Sequence, residues 1–103
     1  RTRISRLVLS GVHLESSIGK KLGELIRDSR SLTELNVSSN NLGDIGVQTL
    51  AAELKPGSQM RKLVLRNVGL GQDLGVRALA RALREGSQVE MLDLRKNHVG
   101  VPG

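Results

Sequence analysis

Apolar residues recur along this 103-residue chain with a long period. The segments Ile4–Leu14 (ISRLVLSGVHL), Leu32–Leu42 (LTELNVSSNNL), Met60–Leu70 (MRKLVLRNVGL) and Val89–Val99 (VEMLDLRKNHV) are each apolar at their first, fourth, sixth and eleventh positions. The fourth-position leucines, Leu7, Leu35, Leu63 and Leu92, are separated by 28, 28 and 29 residues. The fourth and sixth positions alternate with other residues at period two, which predicts a short strand with one buried face. A second block follows each of the first three segments. Val47, Leu50, Ala51 and Leu54 keep the i, i+3, i+4, i+7 spacing of a helix with one apolar stripe, as do Val76, Leu79, Ala80 and Leu83. The matching residues of the first unit are Gly19, Leu22, Gly23 and Ile26, so that helix is expected to pack more loosely. One extra residue falls where LGQDLG (Leu70–Gly75) replaces LGDIG (Leu42–Gly46).

Each unit therefore reads as strand, loop, helix, turn. Asp44, Asp73 and either Ser16 or Ser17 stand where a helix N-cap is needed. KPGSQ (Lys55–Gln59) and REGSQ (Arg84–Gln88) supply terminators. The strands must run parallel, because every return passes through a helix. Stacked units make a curved solenoid with strands inside the curve and helices outside. Asn40 and Asn97 follow the strand where the chain turns, and an amide there can donate and accept toward backbone groups that the turn leaves unpaired. Gly43, Gly46, Gly69, Gly71 and Gly75 keep phase with the repeat and are expected to allow the tight passage from strand to helix.

The pattern L-x-x-L-x-L-x-x-N-x-L at this period resembles the leucine-rich repeat, and in particular its ribonuclease-inhibitor-like subclass. The match covers three units and the opening of a fourth. Ninth positions read Val12, Asn40, Val68 and Asn97, an alternation similar to the two-type repeat pairs of that subclass. The resemblance implies an α/β fold: a right-handed solenoid forming a horseshoe segment, with parallel strands on the concave face and helices on the convex face. It implies a single domain segment over 1–103, with repeats at about 4–31, 32–59 and 60–88 and a partial repeat at 89–103. It also implies a non-catalytic interaction scaffold that binds a protein partner through concave-face and repeat-edge residues. The alternative it carries is a regulator of a partner enzyme, similar to the Ran GTPase-activating protein. Cytoskeletal and ciliary assemblies are among the settings of such proteins.

Composition narrows the chemistry. Phe, Tyr, Trp and Cys are absent. No aromatic platform exists for single-stranded nucleic acid, Arg is left as the main anchor for an interface, and neither disulfides nor thiolate metal sites can form. A Cys-free chain fits a reducing, intracellular and cytoplasmic compartment. No apolar run is long enough for a membrane span, so no membrane partner is expected. The chain begins at Arg1 and closes on VGVPG without a helix behind its fourth strand, so further repeats of the same parent chain are expected.

If leucines fill the interior, recognition falls to the third, fifth and seventh positions of the strand segments. The third-position column reads Arg6, Glu34, Lys62 and Met91, an alternation of sign that predicts lateral pairing. The seventh reads Ser10, Ser38, Arg66 and Arg95, with Lys96 next in line. Two arginines side by side are mildly unfavourable, which marks Arg66, Arg95 and Lys96 as candidate partner-binding residues for carboxylates or phosphates of an acidic partner surface. A second basic patch, Arg77, Arg81 and Arg84, is spaced i, i+4, i+7 on the third helix, and Lys20 and Lys21 add to the outer charge. The net charge of +6 is uneven, with residues 31–59 carrying one basic and three acidic groups and residues 60–88 six and two. Such patches steer acidic partners, but no module motif accompanies them, which argues against nucleic acid as the partner.

Catalytic, cofactor and metal chemistry are not expected. His13 and His98 occupy the same tenth position of units three repeats apart, too far to share an ion. Ser10 and Ser38 have no His–Asp arrangement nearby, and the glycines form no G-x-x-x-x-G-K-[ST] or G-x-G-x-x-G loop.

Overall fold

The computed structural model describes residues 4–55, 58–71 and 73–97. Four three-residue strands, β1 (Arg6–Val8), β2 (Glu34–Asn36), β3 (Lys62–Val64) and β4 (Met91–Asp93), form one parallel sheet in chain order. Among the described residues three helices, α1 (Ile18–Asp28), α2 (Gly43–Ala51) and α3 (Asp73–Arg84), make the crossovers. The register puts Leu7, Leu35, Leu63 and Leu92 opposite one another, one per rung. These leucines, with Val37 and Leu65, meet Leu22, Ile26, Val47, Leu50 and Leu79 from the helices in one core between sheet and helix row. Its centre is built from aliphatic side chains that are wholly out of solvent, among them Leu35, Leu50 and Leu63.

The helix period holds for α2, where Val47, Leu50, Ala51 and Leu54 are buried, and for α1, where Gly19, Leu22, Gly23 and Ile26 are. It is corrected for α3. There the buried residues are Gly75, Leu79 and Ala82, while Ala80 is exposed and Leu83 is 44% exposed against 2% for its counterpart Leu54. The reason is positional: α3 covers one flank of α2, and among the described residues no element covers the far flank of α3.

The capping expectations are corrected for α1 and α2. Ser17 precedes α1 with helical backbone angles and makes no side-chain capping bond, and α2 is preceded by Leu42, also without one. Asp44 lies inside α2 and serves the next unit: its carboxylate accepts from the N–H of Gly71 (3.1 Å) and of Gly75 (3.2 Å), the latter in the first turn of α3. Asp73 opens α3 and pairs with Arg77 at 3.0 Å. At the other end of α3, Gly86 (φ 101°) closes the helix as expected, with Ser87 N–H reaching back to Ala82 and Gly86 N–H to Leu83. The Pro56–Gly57 terminator, the inserted Gln72, His98, Val99 and the terminal residues 1–3 and 100–103 lie outside the described residues.

Two glycine roles separate. Gly43 and Gly69 have positive φ (68° and 82°) on the way from strand to helix, as the passage requires. Gly19, Gly46 and Gly75 instead mark close approach of neighbouring units. A Cβ on Gly19 would lie 2.4 Å from the carbonyl oxygen of Gly46, and one on Gly75 would lie 3.4 Å from Val47 Cβ of the unit before it.

Candidate interaction surface

The sheet face is held in place by two asparagines. Asn40 Oδ1 accepts from Val12 N–H (3.1 Å) and Leu14 N–H (2.9 Å) of the preceding unit, and its Nδ2 donates to the carbonyls of Leu9 (2.8 Å), Val37 (2.9 Å) and Ser38 (3.2 Å). Asn97 repeats the arrangement on Val68, Leu70, Leu65, Leu94 and Arg95. Each amide therefore completes the loop of the unit before it, which spares buried backbone groups the cost of going unpaired. Between them Val68 fills the ninth position with no exposure. The eighth position is left-handed in every unit: Gly11, Ser39, Asn67 and Lys96 have φ of 66°, 58°, 52° and 62°. Ser29, Ser58 and Ser87 tie the returns to the strands by accepting from Leu32, Met60 and Val89 N–H.

On this frame the third-position column is in register, yet only its first step forms an ion pair, Arg6 to Glu34 at 3.5 Å. Among the described residues Lys62 joins none. A pair outside the three columns, Arg61 with Glu90 at 2.9 Å, does form. Ser38 is buried, and its hydroxyl accepts from Arg66 N–H at 3.1 Å, so it braces the backbone of the next unit.

The seventh-position arginines are not two bare like charges, and that expectation is corrected. Asp93, only 6% exposed, sits between them. Arg95 places Nε on Oδ1 (3.0 Å) and Nη2 on Oδ2 (2.8 Å), its backbone N–H also reaches Oδ1 (3.1 Å), and Arg66 Nε lies 3.9 Å from Oδ2. The hydrogen bond from the Arg95 side chain, helped by the Arg95 backbone N–H and by the charges of Arg95 and Arg66, holds the Asp93 carboxyl down at about 2 against the cost of burial. The same contact raises Arg95. Asp93 was open to detection from the sequence, since fifth- and seventh-position side chains of one strand share a face.

The cluster of Arg66, Asp93 and Arg95 carries one net positive charge, and Lys96 adds another from the left-handed turn beside it. Arg95 is oriented by a two-point fork, while Arg66 touches Asp93 only at long range and keeps donors to offer. Chemically the arrangement can accept a carboxylate or phosphate oxygen. The second patch is separate, with Arg77, Arg81 and Arg84 exposed on α3. No described helix is long and apolar enough to cross a membrane.

Parallel strands in register, a core leucine on every rung and an asparagine after the strand are the marks of leucine-rich repeats, and the chain carries them: residues 28–51 match the leucine-rich repeat family model. Over 62 residues, 59% of the chain, it is 42% identical to "NACHT, LRR and PYD domains-containing protein 3" of Homo sapiens. It is also 42% identical to the protein of the same name from Macaca mulatta over 69 residues, 66% of the chain. The aligned stretch spans 6% of the length of each of these relatives.

Proposed function

We propose that the chain is a non-catalytic protein–protein interaction segment of a longer leucine-rich repeat protein of the ribonuclease-inhibitor-like kind, with the sheet on the concave side of a right-handed solenoid. Repeats of this class generally mediate contacts between proteins. The observation that carries the reading is the Arg66–Asp93–Arg95 cluster on the sheet face: a net positive, partly pre-oriented set of guanidinium donors, with no metal-ligand cluster among the described residues. Arg66, Arg95 and Lys96 take an acidic side chain or phosphate of the partner. The partner's carboxylate occupies the donors that Arg66 keeps free, while Asp93 fixes Arg95. The segment works in a reducing, cytoplasmic setting, in line with its lack of Cys.

The test must respect Asp93, because charge reversal at Arg95 would set two carboxylates against each other in a half-dry site. Arg66→Gln combined with Lys96→Gly removes two charges and keeps the fork. The immobilised chain and this variant are compared by crosslinking and mass spectrometry in cell extract. Proteins captured by the wild type through acidic segments are expected to be lost from the variant, with circular dichroism unchanged. Equal capture by both would remove the sheet-face site.

A further inference from the structure

α2 and α3 pack side by side, and between them opens a groove of about 750 Å³, within the size range of sites that bury a ligand or several side chains. Its floor is apolar, from Ala51, Leu54, Ala78 and Ala82, and the short alanine side chains leave room for another backbone to come close. Its rim is basic. Lys55, Arg77, Arg81 and Arg84 line it together with a single carboxylate, Glu85. Arg77 is engaged by Asp73 at 3.0 Å. Among the described residues, Lys55, Arg81 and Arg84 have no carboxylate within ion-pair distance. The three arginines form a row about 10 Å long on one helix, and like charges at this spacing weaken the helix that carries them.

We propose that this groove docks an acidic amphipathic helix of a partner protein. Aliphatic residues of the incoming helix at i, i+3 or i+4, and i+7 enter between α2 and α3 as ridges into a groove. Its Glu or Asp residues, flanking that stripe at the same period, meet Arg81, Arg84 and Lys55. The arginine row repeats with the helix period over two turns, so a helix matches it rung by rung where an extended strand would fall out of phase. The apolar floor separates this occupant from a nucleic-acid backbone, which would match the charge and leave the floor unfilled. The groove lies on the helix side, so this docking is independent of the sheet-face cluster.

The probe is a fluorescent helical peptide of about 18 residues, long enough to hold its helix, with a Leu and Ala stripe flanked by Glu, titrated against the full chain at low salt and read by anisotropy. Saturable binding is expected, weakened roughly tenfold when Arg81→Gln and Arg84→Gln are combined. Ala52→Trp, an exposed position lining the groove, should block it with the circular dichroism spectrum unchanged. A peptide with every Glu replaced by Gln should also bind at least roughly tenfold more weakly, and Lys20→Gln, exposed on α1 and away from the groove, should leave affinity unchanged. The proposal is overturned if the paired arginine variant or Ala52→Trp binds as the wild type does, or if a scrambled peptide of equal charge without the stripe binds equally. It is likewise overturned if duplex DNA or phosphatidylserine vesicles displace the peptide through the same arginines more readily than unlabelled peptide does.

Discussion

Replacing Asn40 by Ala removes five hydrogen bonds at once: two from the backbone N–H groups of Val12 and Leu14 and three to the carbonyls of Leu9, Val37 and Ser38. A typical intramolecular hydrogen bond contributes about 1 kcal/mol net, and a buried partner left unmatched costs about 1–3 kcal/mol. Val12 is exposed, so its N–H recovers a water, whereas the carbonyl ends at Val37 and Ser38 belong to buried residues. Losing about 3–4 kcal/mol is therefore expected, a large part of the roughly 5–15 kcal/mol that holds a domain together. Urea unfolding followed by far-ultraviolet circular dichroism reads this as a lower midpoint, with Asn41→Ala, exposed and next in the chain, as a control within roughly 0.5 kcal/mol of wild type. Asn40→Asp sharpens the test. Its new oxygen faces three carbonyls, so the folded state favours the protonated acid and raises the pKa of that group above its unfolded value. The deficit should be full above that raised pKa and shrink as the pH falls through it. A loss below about 1 kcal/mol for Asn40→Ala, or one matched by Asn41→Ala, would refute the bracing role.

Two further outcomes follow from the same structure. Gly19→Ala should destabilise by about 1–3 kcal/mol, because its Cβ meets the backbone of Gly46 and α1 must move away from α2; Gly71→Ala, with open space around it, should be neutral or gain about 0.4–1 kcal/mol, and thermal melts of the two variants rank them. Asp93 has a folded pKa lowered from 3.8 to about 2, so the stability it contributes is fully present above pH 3.8 and is lost as the pH falls through about 2; acid titration of Asp93→Asn should lack that component, and an acid transition identical to wild type would count against the fork with Arg95.

Much of this architecture could be read from leucine spacing, because each core position recurs once per rung and the helix returns force parallel pairing. Burial on α3 could not. Periodicity reports which side chains share a face, whereas Leu83 and Ala80 are exposed because burial also needs a neighbour on that flank. Asp44 was misplaced as a cap for a similar reason: a local rule looks within one helix, and Asp44 bonds to the unit that follows. At the candidate site the arginine column was visible and its counter-ion was overlooked, although Asp93 stands two residues from Arg95 on the same strand face. The groove between α2 and α3 depends on how closely two helices approach, which no single-helix pattern contains.

Because the bracing amides stand only on every second unit, with valines at Val12 and Val68 between Asn40 and Asn97, the molecule has a natural quantum of length. Deleting an asparagine coil or duplicating a valine coil would bring two valines into succession and strand one valine loop without its amide. Deleting or duplicating a pair keeps every valine loop served, so tandem growth of this gene segment is expected to proceed in even steps.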